Sequence, residues 1–176
     1  MKSTGVIRKI DELGRIVLPK EIRRNLGIRD GENLEIFVEN DHILLKKYSK
    51  MQDYSEIVKN LGSVVDNIYD FKMIITDRDK VLYSKIDGVG LNIEIDEKLL
   101  SYIHNREIFN KNTQETYSFG NKELSGYFMI LPIISSIDCL GLIILFNSSK
   151  VIPDYQINLL KLISNLITSK IDIAWI

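Results

Sequence analysis

Residues 4–24 read Thr4-Gly5-Val6-Ile7-Arg8-Lys9-Ile10-Asp11-Glu12-Leu13-Gly14-Arg15-Ile16-Val17-Leu18-Pro19-Lys20-Glu21-Ile22-Arg23-Arg24. Val6, Ile7 and Ile10 begin one short β-like run, and Arg15-Ile16-Val17-Leu18 forms a second. Between them Asp11-Glu12-Leu13-Gly14 is polar and ends in a glycine able to take positive φ, so a hairpin-like turn is expected there. Pro19 suits the first position of a helix, where its missing N–H costs nothing. The helix predicted over Lys20–Leu26 turns Ile22 and Leu26 inward, leaves Arg23 and Arg24 off the apolar side, and stops at Gly27.

Working outward, Asp30-Gly31 marks a further turn, and Leu34, Ile36 and Val38 alternate with Glu35, Phe37 and Glu39. Asn40-Asp41 then turns the chain into His42–Lys47, a second hairpin. Charge is sorted along the chain: residues 1–50 carry 11 basic and 8 acidic side chains, while residues 51–176 carry 12 and 16. Within Met1–Arg24 alone, seven basic residues face three acids. A small basic head on an acidic body reads as a nucleic-acid-binding unit attached to a second domain. The boundary is placed at Ser49-Lys50, giving domains 1–50 and 51–176, with no Gly/Pro linker.

A head of this size buries too little surface to be stable alone, and it has neither the cysteines nor the metal-ligand spacing to compensate. A two-fold dimer that completes its sheets by interleaving hairpins is the expected solution. It would set both copies of Arg8, Arg15, Arg23 and Arg24 across one surface. Arginine suits that task because its planar fork makes paired hydrogen bonds to phosphates and guanine edges.

The quoted stretch, followed by Leu34-Glu35-Ile36-Phe37-Val38, resembles the swapped-hairpin DNA-binding domain of the AbrB family. Leu13-Gly14-Arg15 and then Pro19-Lys20-Glu21-Ile22-Arg23-Arg24 carry the resemblance. Leu18 departs from the isoleucine usual there, and the Asn40-Asp41-His42 turn lacks the frequent glycine. The resemblance implies a strand-rich swapped-hairpin dimer, with double-stranded DNA as partner and with Arg8, Arg15, Arg23 and Arg24 contacting it. Lys9 is a weaker addition. The two-domain layout further resembles the spore-developmental members of that family. It implies a transcriptional activator or repressor of sporulation genes, cytoplasmic and at the nucleoid of the forespore.

In residues 51–176, Met51, Tyr54, Ile57, Val58, Leu61, Val64, Val65 and Ile68 form a helical stripe over Met51–Asp70. Lys72–Thr76 and Lys80–Ser84 read as a hairpin around Asp77-Arg78-Asp79. Asp96 is the expected N-cap of a helix to Arg106 that buries Leu99, Leu100 and Ile103. Glu115–Phe119, Gly126–Ile134 and Cys139–Asn147 are expected strands, the last two apolar enough to lie centrally. Pro153 opens a final helix to about Ile173. The order α-β-β-α-β-β-β-α gives an α+β domain with an antiparallel sheet. It resembles a GAF domain, with a PAS domain as the rival. Ile157, Leu159, Leu160, Leu162, Ile163, Leu166, Ile167, Ile171 and Ile173 cover more of the last helix than one sheet contact needs. Helical pairing of two subunits, added to the head dimer, gives a tetramer as a dimer of dimers. The bland alternative is a wide core helix in a monomeric domain.

No catalytic set is expected. His42 and His104 lack metal-ligand spacing, and Cys139 opening an apolar strand reads as a small buried hydrophobe. Asp77-Arg78-Asp79 reads as a turn rather than a metal site, and Gly88-Val89-Gly90 lacks the further glycine of a phosphate loop. Tyr117, Phe119, Tyr127 and Phe128 could line a pocket but read as strand core. The expectation is a non-enzyme without cofactor or metal, with an unidentified small-molecule effector of residues 51–176 left open. No run is long and apolar enough for a membrane span, and one cysteine excludes an internal disulfide framework. An antitoxin-type protein-interaction module is the alternative, disfavoured because residues 51–176 are apolar and periodic rather than a flexible tail. An enzyme built on the second domain is disfavoured for want of catalytic groups.

Overall fold

The computed structural model of the 176-residue chain describes residues 5–28, 30–136 and 138–173. Thr4 of the decisive stretch, Ile137 of the turn before the last strand and the Ile173 side chain lie outside the described residues. The chain forms two compact units, Met1–Tyr48 and Ser49–Ile176.

In the first unit, α1 (Lys20–Asn25) is followed by β1 (Leu34–Glu39) and β2 (His42–Lys47), which pair antiparallel in register from Leu34↔Lys47 to Glu39↔His42. Asn40 takes φ 52° in the connecting turn, a conformation asparagine tolerates better than most side chains. The helix starts at Lys20 as expected and ends one residue early, with Pro19 as its N-cap rather than its first residue. Gly27 ends it at φ +60°, its N–H donating to Arg24 O at 3.1 Å while Ile28 N–H donates to Arg23 O at 2.7 Å. That is a Schellman closure, which reverses the chain just past the helix.

Two expectations for this unit are corrected. Val6–Ile10 and Arg15–Leu18 are not strands, although the turn between them forms. A ladder needs a run of paired N–H and C=O groups; here the segments meet at the turn, Asp11 N–H donating to Arg15 O at 3.1 Å, and form no ladder with β1 or β2. Leu26 is exposed rather than inward, and Ile22 is only half-buried. Among the described residues of this unit no side chain is buried, and Ile7 and Val17 are 88% and 72% exposed.

The second unit holds α2 (Lys50–Asp53), α3 (Ser55–Ile68), β3 (Lys72–Thr76), β4 (Val81–Ser84), α4 (Glu97–Asn105), β5 (Phe109–Phe119), β6 (Lys122–Ile134), β7 (Cys139–Asn147) and, after a 3-10 turn at Asp154–Gln156, α5 (Ile157–Ile173). The five strands form one sheet in the order β4-β3-β7-β6-β5, and every neighbouring pair is antiparallel. The apolar strands β6 and β7 lie inside it, as their composition dictates. The single helix expected over Met51–Asp70 is interrupted at Tyr54, whose φ −106° and ψ 17° leave the helical range. The break gives two short axes, so Met51 reaches the same core that Val58 and Val65 line, with Tyr54 packed against it.

The sheet separates two cores. On one side α2, α3 and α5 cover Met73, Ile75, Met129, Leu131, Ile143 and Leu145. On the other, α4 sets Leu99 and Ile103 against Ile74, Tyr117, Phe119, Phe128, Leu142 and Ile144. Asp96 caps α4 as expected, accepting from Leu99 N–H at 2.8 Å, while Leu100 is only half-buried. The segment 92–96 ties the sheet's edges together. On the β4 side, Val81 N–H donates to Ile93 O at 2.9 Å and Asn92 N–H donates to Val81 O at 2.8 Å. On the β5 side, Gly120 N–H donates to Glu94 O at 2.8 Å and Asp96 N–H donates to Ser118 O at 3.1 Å.

Candidate nucleic-acid interface

All five basic residues singled out in the sequence belong to the first unit, and they differ in how they are held. Gly14 takes φ +76° and closes the turn after Asp11, where Gly14 N–H donates to Asp11 O at 2.9 Å. The Asp11 carboxylate accepts from Leu13 N–H at 3.0 Å, from Arg15 N–H at 2.7 Å and from Arg15 Nε at 2.7 Å. The Arg15 backbone N–H foremost, and then its guanidinium, hold the Asp11 carboxyl below the ordinary value of 3.8. Arg15 is thus fixed at the base of the turn with most of its side chain in solvent.

Arg23 lies on α1 and extends to Asp30, which the closure at Gly27 carries back towards the helix; its Nη1 donates to the Asp30 carboxylate. Arg23 Nε is buried without a hydrogen-bond partner. Arg8 is exposed and donates from Nη1 to Ile7 O at 3.0 Å. Lys9 and Arg24 are exposed. Neither Asp11 nor Asp30 is singled out by the sequence as a partner of these arginines. The signal available was the acid spacing, four residues before Arg15 and seven after Arg23.

The second unit offers little chemistry. His42 opens β2 in the first unit and His104 lies on α4, both exposed. Cys139 is buried; its thiol donates to Gly141 O at 3.6 Å, and burial pushes its pKa up. Tyr117, Phe119 and Phe128 fill the α4-side core, Tyr117 meeting the Tyr102 hydroxyl at 3.0 Å. Tyr127 is half-buried and packs against the opposite core. Asp77 accepts from Asp79 N–H at 3.1 Å and Lys80 N–H at 2.8 Å, as a turn carboxylate. Among the described residues no group of three or more His, Cys, Asp or Glu side chains could hold a metal ion. A groove of about 460 Å³ lies beside Ile93, Glu94, Phe119, Gly120 and Lys122. Among the described residues no helix is long and apolar enough to cross a membrane.

Against known proteins, the chain is 32% identical over 164 residues to stage V sporulation protein T of Bacillus subtilis (strain 168), covering 89% of this chain and 90% of that one. The chain belongs to the stage V sporulation protein T family. Its head is 60% identical over 48 residues to the transition state regulatory protein AbrB of the same organism, 27% of this chain and 50% of AbrB. Residues 7–53 match the family described as antidote-toxin recognition MazE, bacterial antitoxin.

A solution structure described as the N-terminal DNA recognition domain of Bacillus subtilis AbrB is 59% identical in sequence, with a TM-score of 0.25, and covers 28% of this chain and 92% of that one. A crystal structure of a methyl-accepting chemotaxis protein, residues 122 to 287, has a TM-score of 0.51 at 12% identity over 68% of this chain and 91% of that one. That likeness concerns the fold alone. The family therefore has an AbrB-like head followed here by a mostly antiparallel sheet with helices.

Proposed function

We propose that the protein is a DNA-binding transcriptional regulator of sporulation genes, acting in the cytoplasm at the nucleoid of the developing spore. The observation that carries this reading is the 60% identity of the head to AbrB, whose N-terminal domain is described as a DNA recognition domain. Arg8, Lys9, Arg15, Arg23 and Arg24 form the contacting surface. Arginines on a turn and on the short helix α1 suit phosphate positioning with readout by groove edges and DNA shape. The protein is read as a non-enzyme, in line with the regulators it is similar to.

The head is a swapped-hairpin dimer in this reading. Support comes from Ile7, Ile10, Ile16 and Val17, large apolar side chains left exposed on a single chain. Residues 51–176 form a GAF-like domain that sets assembly. Leu162 and Leu166 on α5, with Val64 and Ile68 on α3, are exposed apolar residues that would pair subunits into a tetramer. A small-molecule effector acts through this domain only if it binds two arrangements of the protein unequally.

Fluorescence anisotropy of the full chain on an A·T-rich duplex across a salt series tests the reading. Binding should weaken with a slope of about 0.9 per phosphate neutralised. Arg8→Ala/Arg24→Ala should lose affinity and flatten that slope while staying folded. Equal binding by both proteins, or none by either, would overturn it. Co-purification of a small basic protein in place of DNA would favour the antitoxin reading.

A further inference from the structure

Arg23 is held in an unusual way for a residue meant to meet a polyanion. Its Nε is buried with no acceptor, so the terminal Nη groups are the part of the guanidinium left to meet a ligand. Its Nη1 already donates to Asp30, whose own side chain is 93% exposed against 36% for Arg23. An exposed ion pair of this kind adds little to stability. Its charge, however, stands at the surface where a phosphate would arrive. The Schellman closure at Gly27 puts it there: the Ile28 N–H to Arg23 O bond of 2.7 Å turns the chain back over the last turn of α1.

We propose that Asp30 is a specificity-determining residue of the DNA-binding surface, holding the Arg23 fork in the free protein so that only a well-shaped acceptor displaces it. The proposal rests on the reading of the first unit as a DNA-binding head. Binding to arbitrary duplex is almost wholly phosphate electrostatics, and there the Asp30 carboxylate both competes for the guanidinium and repels the backbone. At a preferred sequence the fork gains paired hydrogen bonds of fixed geometry, which a single carboxylate contact does not match. Discrimination built from a repulsive element in this way weakens wrong partners more than right ones. Asp11 holds Arg15 in the same manner, but it also accepts two backbone N–H groups of the turn. Asp30 is therefore the residue that tests the idea without disturbing the fold.

The test uses the full chain and a pool of 30-base-pair duplexes of random sequence, alongside duplexes enriched from that pool by the wild-type protein. Asp30→Asn is compared with Asp41→Asn, the same charge change in the β1–β2 turn, with circular dichroism confirming that both fold. Asp30→Asn should bind the random pool up to about fivefold tighter at low salt, the range an exposed ion pair spans. Its salt slope should steepen by up to about one unit per protomer. Binding to the enriched duplexes should change less, and Asp41→Asn should show neither effect. Unchanged or weaker pool binding by Asp30→Asn, or an equal gain from Asp41→Asn, would overturn the proposal while leaving DNA binding intact. Failure of the wild-type protein to bind any duplex would overturn both.

Discussion

Tyr83 lies against the backbone of α3 at Gly62, so closely that a Cβ placed on Gly62 would stand 2.3 Å from its Cδ1 and Cε1 atoms. The ring cannot retreat freely, because its hydroxyl donates to the buried Asp66 carboxylate at 2.8 Å. Gly62→Ala should therefore destabilise the second unit. Helix propensity favours alanine by about 1 kcal/mol, but overpacking of this kind costs about 1–3 kcal/mol. Urea unfolding of the full chain should show a lower midpoint. A gain in stability would mean that the ring is not fixed.

The same tyrosine satisfies one oxygen of Asp66, the other accepting from Met73 N–H at 2.7 Å. Tyr83→Phe leaves a buried carboxylate oxygen without its donor and should cost about 1–3 kcal/mol. The phenylalanine ring preserves the packing on Gly62, so the loss reports the hydrogen bond. An unchanged midpoint would show that water replaces the hydroxyl.

Asp77 supplies a pH dependence of definite sign. Burial, above all, raises its carboxyl above the ordinary 3.8, against the backbone N–H groups of Asp79 and Lys80 and the Ser49 hydroxyl; the Asp79 charge raises it further. Between 3.8 and its raised folded value the folded protein binds the proton more tightly than the unfolded chain, so Asp77 lowers stability as pH rises through that window. Asp77→Asn keeps an acceptor for the two N–H groups and removes the charge. The variant's Tm should gain on that of the wild type as pH is raised from 3.8 through the raised folded value of Asp77, and then run parallel to it. A difference that shrinks with rising pH would contradict this.

The assembly prediction rests on α5. Leu162 and Leu166 are exposed on a helix whose other side buries Leu160, Ile163, Ile167 and Ile171. Leu162→Ser/Leu166→Ser should leave the monomer fold intact and reduce the mass measured by sedimentation equilibrium to that of the head dimer. An unchanged tetramer, or a dimer in both proteins, would remove α5 from the interface.

The parts of the fold that were legible in the sequence are those whose signal is local. Asp96 before a periodic apolar run marks a capped helix whatever surrounds it, and the near-continuous apolar runs of β6 and β7 require burial on both faces. Elements that depend on a distant or absent partner were harder to read. Asn110–Gln114 is polar and belongs to an edge strand with an irregular register, so it carries no alternation to announce it. Tyr54 continues the helical stripe even though the backbone breaks there. The segments Val6–Ile10 and Arg15–Leu18 have strand composition but join no sheet of this chain. At the candidate interface the arginines stood out by type and motif. Their acid partners did not, because chain reversals at Gly14 and Gly27 create those encounters.

The segment 92–96 bonds to strands at opposite ends of the sheet order, β4 and β5. The outermost strands of an open sheet ordinarily fray independently. Here one short stretch of backbone is shared between them, so neither can peel away without loosening the other's hold. The amides of Val81, Asp96 and Gly120 should then exchange with solvent as one cooperative unit, making opposite margins of the sheet a single thermodynamic element.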